Sequence, residues 1–97
     1  MKGIVKNVNR SIIERKIQGN LAPGEHGVRE TCTFATLEDG KNVEIPEDLI
    51  RKKYNRKNIN DNIVDKLKQD LIGKEIEFEN DEDGNGVLVR DLDAYIL

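Results

Sequence analysis

The sequence predicts a mainly β, α+β chain in which five strands close a small barrel and one helix is inserted between the third and fourth strands. Three observations predict it. Residues 31–37 alternate in strand fashion, Asp39-Gly40 supplies a turn, and Val43 and Ile45 alternate again, which together signal a β-hairpin. Residues 60–73, NDNIVDKLKQDLIG, carry Ile63, Val64, Leu67 and Leu71 at helical spacing, with Asn60 as the start signal and Gly73 as the stop. Residues 74–80 alternate Ile76 and Phe78 with Glu75, Glu77 and Glu79, giving a strand with one apolar and one acidic face.

The remaining elements follow in order. Residues 2–8, KGIVKNV, are β-rich, and residues 10–18 continue with Ile12, Ile13 and Ile17. That spacing fits one face of a short helix, but the isoleucine content fits a strand, and a long bent strand is the favoured reading. Residues 19–27, GNLAPGEHG, form a loop by their Gly and Pro density. The hairpin then spans 28–37 and 42–45, and Pro46 ends its second strand because proline cannot donate a ladder hydrogen bond. Residues 47–54 suit one or two helical turns, with Glu47 and Asp48 at the positive end and cations at the other. After the turn at 81–86, residues 87–89 make the last strand, leaving Leu92, Tyr95, Ile96 and Leu97 to cover an edge or an opening.

At 97 residues, 36% hydrophobic and 36% charged, the chain supports a single domain over 1–97 with one modest core. The recurrence of Ile, Leu and Val argues against disorder. Cys32 is the sole cysteine, which excludes an internal disulfide, and Met1-Lys2-Gly3 runs straight into Ile4-Val5 with no signal sequence; a reducing, cytoplasmic setting is expected. No apolar run approaches the roughly 20 residues that cross a bilayer. The net charge of −3 hides an asymmetry: residues 1–57 hold 12 Lys/Arg against 8 Asp/Glu, and residues 58–97 hold 4 against 11. One basic face on an acidic protein is the consequence.

The order strand, hairpin, basic segment, helix and final hairpin is the layout of a five-stranded oligonucleotide/oligosaccharide-binding (OB) barrel. Residues 34–45 followed by Arg51-Lys52-Lys53-Tyr54-Asn55-Arg56 resemble the S1-like proteins of the bacterial translation initiation factor one type, where a strand ending in Leu-Glu-(Asp/Asn)-Gly leads to a basic, tyrosine-containing loop. Residues 73–79, GKEIEFE, are similar to the Gly-x-x-Val-x-Phe-Glu opening of the fourth strand in that group and in cold-shock domains, and MKGIVK at the start is similar to a cold-shock first strand. The likeness covers about half the chain. It departs at residues 11–30, at the long helix around 58–72, and at residues 6–9, KNVN, where a cold-shock protein begins its aromatic platform. The resemblance implies a non-enzymatic nucleic-acid-binding barrel with no cofactor.

Among candidate sites, Arg51, Lys52, Lys53, Arg56 and Lys57 around Tyr54 form the best anion-contacting group, with Lys2, Lys6, Arg10, Arg15 and Lys16 as extensions if the first strand lies alongside. Clustered cations neutralise phosphates and gain by counterion release, and Tyr54 can stack or donate its hydroxyl. The plainer reading is a solvated charged face. Asp81, Asp83 and Asn85, with Gly84-Asn85-Gly86-Val87-Leu88, match the first eight positions of a calcium loop, but Leu92 stands where the bidentate Glu belongs. An acidic hairpin loop in which Gly84, Asn85 and Gly86 accept positive φ is favoured over a metal site. The row Glu75, Glu77, Glu79 protects an exposed edge or meets a basic partner, the former being favoured. His26 reads as a solvent-exposed loop residue, and Cys32 as a buried or half-buried strand residue.

No phosphate loop, Ser-His-Asp set or metal-spaced Cys/His group is present, so no enzyme is expected. The sequence therefore points to a small binding module for RNA or single-stranded DNA through residues 51–57. The alternative is a protein-interaction or regulatory module, of a mobile-element kind, docking through residues 60–72 or the acidic hairpin 75–83. It specifies neither partner nor oligomeric state, and gives no membrane association.

Overall fold

The computed structural model describes residues 1–15, 28–82 and 84–96. Its elements are β1 (Lys2–Arg15), β2 (Val28–Leu37), β3 (Asn42–Ile45), α1 (Glu47–Tyr54), α2 (Asp61–Leu71), β4 (Glu75–Asn80) and β5 (Gly86–Leu88), followed by a 3₁₀ turn at Leu92–Ala94. The expected loop at 19–27, with His26, lies outside the described residues, as do 16–18, Asp83 and Leu97.

The five strands form a mixed sheet that closes in the ring order β1-β2-β3-β5-β4, with β4 returning to β1. All pairings are antiparallel except β3 with β5, where Val43 meets Gly86 and Glu44 meets Val87 in parallel. The β2–β3 turn forms as the Asp39-Gly40 pair demands: the Gly40 amide donates to the Leu37 carbonyl, and the Asp39 carboxylate accepts from the Lys41 amide at 2.9 Å.

β1 stays extended through Arg15, settling the ambiguity at 10–15 in favour of a strand. It is not regular. Val5 and Val8 are both buried although a period of two would place them on opposite faces. The register with β2 slips between Val5 and Asn7, so Lys6 is the extra residue of a bulge that resets the alternation. At the same place β1 changes neighbours, pairing with β4 at residues 2–4 and with β2 from Val5 onward. From Val5 on, β2 is its only strand partner among the described residues, and beyond Arg10 β2 in turn has no β3 beside it, since β3 reaches no further along β2 than Thr33. Residues 11–15 and 28–32 thus form a two-stranded ribbon that outruns the ring.

Two helices, not one, lie between β3 and β4. The shorter, α1, covers the eight residues expected to make one or two helical turns. Pro46 opens it, Glu47 and Asp48 oppose the positive end of its dipole, and Asn55 closes it in the left-handed conformation (φ 52, ψ 50). Ile50 anchors it to the core. In α2 the Asn60 side chain accepts from the Ile63 amide at 3.0 Å, and Ile63, Val64, Leu67 and Leu71 are all buried. Helix α2 packs against β1. Ile72 (φ −60, ψ 130) and Gly73 (φ 88) then make a type II turn closed by the Lys74 amide on the Leu71 carbonyl. That turn is stitched to β1, since the Gly73 amide donates to the Val5 carbonyl and the Val5 amide to the Lys74 carbonyl.

The core inside the ring joins Val5, Val8, Ala35, Leu37, Val43, Ile45, Ile76, Phe78 and Leu88, with α1, α2, Leu92 and Ile96 covering it. Leu92 and Ile96 close the opening as expected, and the Tyr95 hydroxyl accepts from the Glu77 amide at 3.1 Å. The β4–β5 loop is also a correction in detail: only Gly84 takes positive φ, at 84°, while Asn85 and Gly86 do not. Gly86 is required for space instead. A Cβ there would stand 3.1 Å from Val43 Cγ2 and 3.2 Å from Phe78 Cδ2.

Candidate nucleic-acid interface

The basic segment falls on α1 and the turn after it, and most of its charge is met by carboxylates of the same chain. Arg51 donates to Asp48 at 2.8 Å, to Glu47 at 3.1 Å and, through Nε, to the Lys57 carbonyl at 3.1 Å. Lys52 pairs with Asp91 at 2.8 Å and Lys53 with Asp93 at 2.7 Å, Lys53 also donating to the Ile96 carbonyl at 3.3 Å. The hydrogen bond from Lys52 to Asp91 raises the lysine pKa, and that from Lys53 lowers the Asp93 pKa. The half-buried Tyr54 hydroxyl donates to Asp70 at 2.9 Å. Burial, reinforced by that bond and the Asp70 charge, pushes the phenol well above its ordinary value.

Two of the separate basic segments do converge. Arg10 reaches from β1 to Glu47 at 2.8 Å and to the Ile59 carbonyl at 3.0 Å, so the Glu47 carboxylate is shared between Arg10 and Arg51. The Arg10 Nε is buried without a hydrogen-bond partner among the described residues. Lys2 lies elsewhere, 3.8 Å from Glu77, a carboxylate it shares with Arg90 at 3.3 Å. Lys6 on the bulge and Arg56 and Lys57 after α1 are exposed, with no ion pair among the described residues. Of Arg15 only the backbone is described, in β1, and Lys16 lies outside the described residues.

A neighbouring feature escaped the sequence reading. On the outer face of β1, β2 and β3, Phe34 is half-buried in register between Asn9 and Glu44. A groove of ≈ 470 Å³ runs there, lined by Asn9, Arg10, Ser11, Ile13, Phe34 and Asn42. A chain of polar groups crosses the three strands through two of its lining residues, Asn9 and Asn42: Asn7 donates to Asn9, Asn9 to Thr36 at 3.1 Å, and the Thr36 hydroxyl to Asn42 at 2.7 Å. Strand alternation over residues 31–37, which puts Cys32, Phe34 and Thr36 on one face, was the available signal. Cys32 is buried in β2 as expected. A second groove, ≈ 620 Å³, adjoins at Arg10 and is acidic, with Glu30, Glu44, Glu47 and Asp48 on its walls beside Arg51.

The acidic residues of the last hairpin are also placed. Glu75, Glu77 and Glu79 face outward while Ile76 and Phe78 are buried, and β4 pairs with β1 at residues 75–77 and with β5 at residues 78–80. In the β4–β5 loop the Asp81 carboxylate accepts from the Asn85 amide at 2.9 Å, serving the turn itself. Among the described residues no group of three or more acidic, His or Cys side chains is arranged to hold a metal ion. The apolar stripe of α2 is inside the core, leaving Asp61, Asn62, Asp65, Lys66 and Gln69 outward. No described helix is long and apolar enough to cross a membrane.

No protein-family model, curated protein or solved structure matches the chain.

Proposed function

We propose that the closed ring is an OB-like small barrel and that the protein is a non-enzymatic binding module for RNA or single-stranded DNA. The observation that carries this reading is the half-buried Phe34 ring in a groove of ≈ 470 Å³ among Asn9, Ser11 and Asn42, on the outer face of the first three strands of a ring ordered β1-β2-β3-β5-β4. In barrels of that order the β2–β3 face receives oligonucleotides. A base stacks on the ring, the amides and hydroxyls read its edge, and the backbone passes Arg10 toward the unpaired cations Arg56 and Lys57. The acidic walls beyond Arg10 keep the phosphates on that outer route.

Fluorescence anisotropy with a labelled single-stranded oligonucleotide tests this. Phe34→Ala removes the platform and weakens binding by about 5- to 150-fold, the equivalent of roughly 1–3 kcal/mol per stacked base. Unchanged affinity refutes the reading. A second reading, docking of a basic protein partner, draws support from the exposed Glu75 and Glu79 of the acidic hairpin; it gains if the oligonucleotide fails to bind and a polycationic peptide binds in its place.

A further inference from the structure

Lys52 and Lys53 project from α1 toward the C-terminal segment, and each is met by an aspartate about 40 positions away in sequence, Asp91 at 2.8 Å and Asp93 at 2.7 Å. The two aspartates stand at i and i+2 around Leu92, whose side chain is buried and fixes the segment against the core. Each lysine of α1 therefore has its own carboxylate, much as neighbouring cations on a nucleic-acid-binding surface each face a phosphate. The carboxylates are exposed, 51% and 68%, and can swing away from the lysines without moving Leu92.

We propose that the Asp91-Leu92-Asp93 segment is an internal phosphate mimic that latches Lys52 and Lys53 and holds the protein in a low-affinity state toward single-stranded nucleic acid. The inference rests on the nucleic-acid reading above and adds its regulation. A polyanion that engages the groove beside Phe34 and extends over α1 must displace both aspartates to gain these two contacts. Binding is thereby graded: a short strand uses the Phe34 face alone, and a longer one competes for the latched lysines. At Lys52, 67% exposed, the geometry fits competition better than a purely structural brace, because an exposed ion pair contributes little to stability while still removing a cation from the binding surface; Lys53, 17% exposed and also bonded to the Ile96 carbonyl, is the more firmly held of the two.

The test compares three proteins, each binding a labelled poly(dT) strand by anisotropy across a salt series. They are the wild type, Asp91→Asn/Asp93→Asn, and Glu75→Gln/Glu79→Gln, which makes the same change in net charge outside the latch. Releasing the latch is expected to tighten binding about fourfold at low salt, a factor of about two for each recovered contact. It also steepens the slope of log K against log salt by about 1.4, from about 0.7 for each phosphate neutralised on a single strand. Adding Lys52→Gln/Lys53→Gln to the released variant abolishes both gains. If the wild type binds but the two charge variants behave alike, the latch is overturned and the nucleic-acid reading stands. If none of the three binds, both fall together. A thermal melt within a few degrees of wild type accompanies the expected result, since a merely structural pair would move stability and not the salt slope.

Discussion

Replacing Glu47 by alanine strikes the point at which β1 and α1 are tied together. Its carboxylate serves Arg10 at 2.8 Å and Arg51 at 3.1 Å, and the two bonds are not equivalent. The Arg10 and Glu47 side chains are 25% and 27% exposed, so their bond is partly shielded from water. A charge-assisted hydrogen bond contributes roughly 1.5–3 kcal/mol, and partial exposure places this one near 1.5. Arg51 is 41% exposed and sits at i+4, so screening reduces its share to about 0.4 kcal/mol. Glu47→Ala is expected to cost about 2 kcal/mol and to lower Tm by about 8–16 °C for a domain of this size. Without Glu47, the Arg10 guanidinium keeps its bond to the Ile59 carbonyl, with its Nε still without a hydrogen-bond partner among the described residues. Urea denaturation of a double-mutant cycle separates the terms: coupling of about 1.5 kcal/mol for Arg10 with Glu47, against about 0.4 for Arg51 with Glu47. An Arg10 coupling no larger than that of Arg51 would refute the argument, because the bond would then behave as an ordinary exposed pair.

Two further outcomes follow from single positions. Gly86→Ala places a methyl 3.1 Å from Val43 Cγ2 and 3.2 Å from Phe78 Cδ2 at the parallel seam, and is expected to destabilise by about 1–3 kcal/mol in chemical denaturation. The Asp93 carboxyl is held below its ordinary value near 3.8 by the hydrogen bond from Lys53, so its contribution is complete above that value and is lost as pH falls through the lowered one. Asp93→Asn should therefore slightly flatten the loss of thermal stability below about pH 4, by no more than the few degrees an exposed carboxylate contributes, measured by melts across an acid series.

How much of this was legible depended on the range of the interaction. The β2–β3 hairpin and the Asn60 cap were readable because turn chemistry and capping act within a few residues, and the burial of Ile63, Val64, Leu67 and Leu71 followed from helical spacing. The bulge at Lys6 was hidden. Ile4, Val5 and Val8 read as one apolar run, and only the change of neighbour from β4 to β2 makes an extra residue necessary. The basic segment was visible as charge but not as a set of ion pairs. Glu47 and Asp48 were noted for the helix dipole and not as the i+4 and i+3 partners of Arg51, whereas Asp91 and Asp93 reach α1 only once the C-terminal segment has folded back over the ring's opening. Phe34 was assigned to a face by alternation, yet whether that face looks inward or outward is set by the closure of the sheet.

Where β1 and β2 run past the last rung of β3, residues 11–15 and 28–32 have no third strand beside them among the described residues, and Ile12 there is 72% exposed. A pair of strands lacking a third is marginal in water. The molecule can therefore unzip at this end while its ring stays shut, since the inner rungs at Ala35 and Val43 are held from both flanks. Loosening begins close to Ser11 and Ile13, which line the groove beside Phe34, so whatever settles there also helps to hold the seam closed.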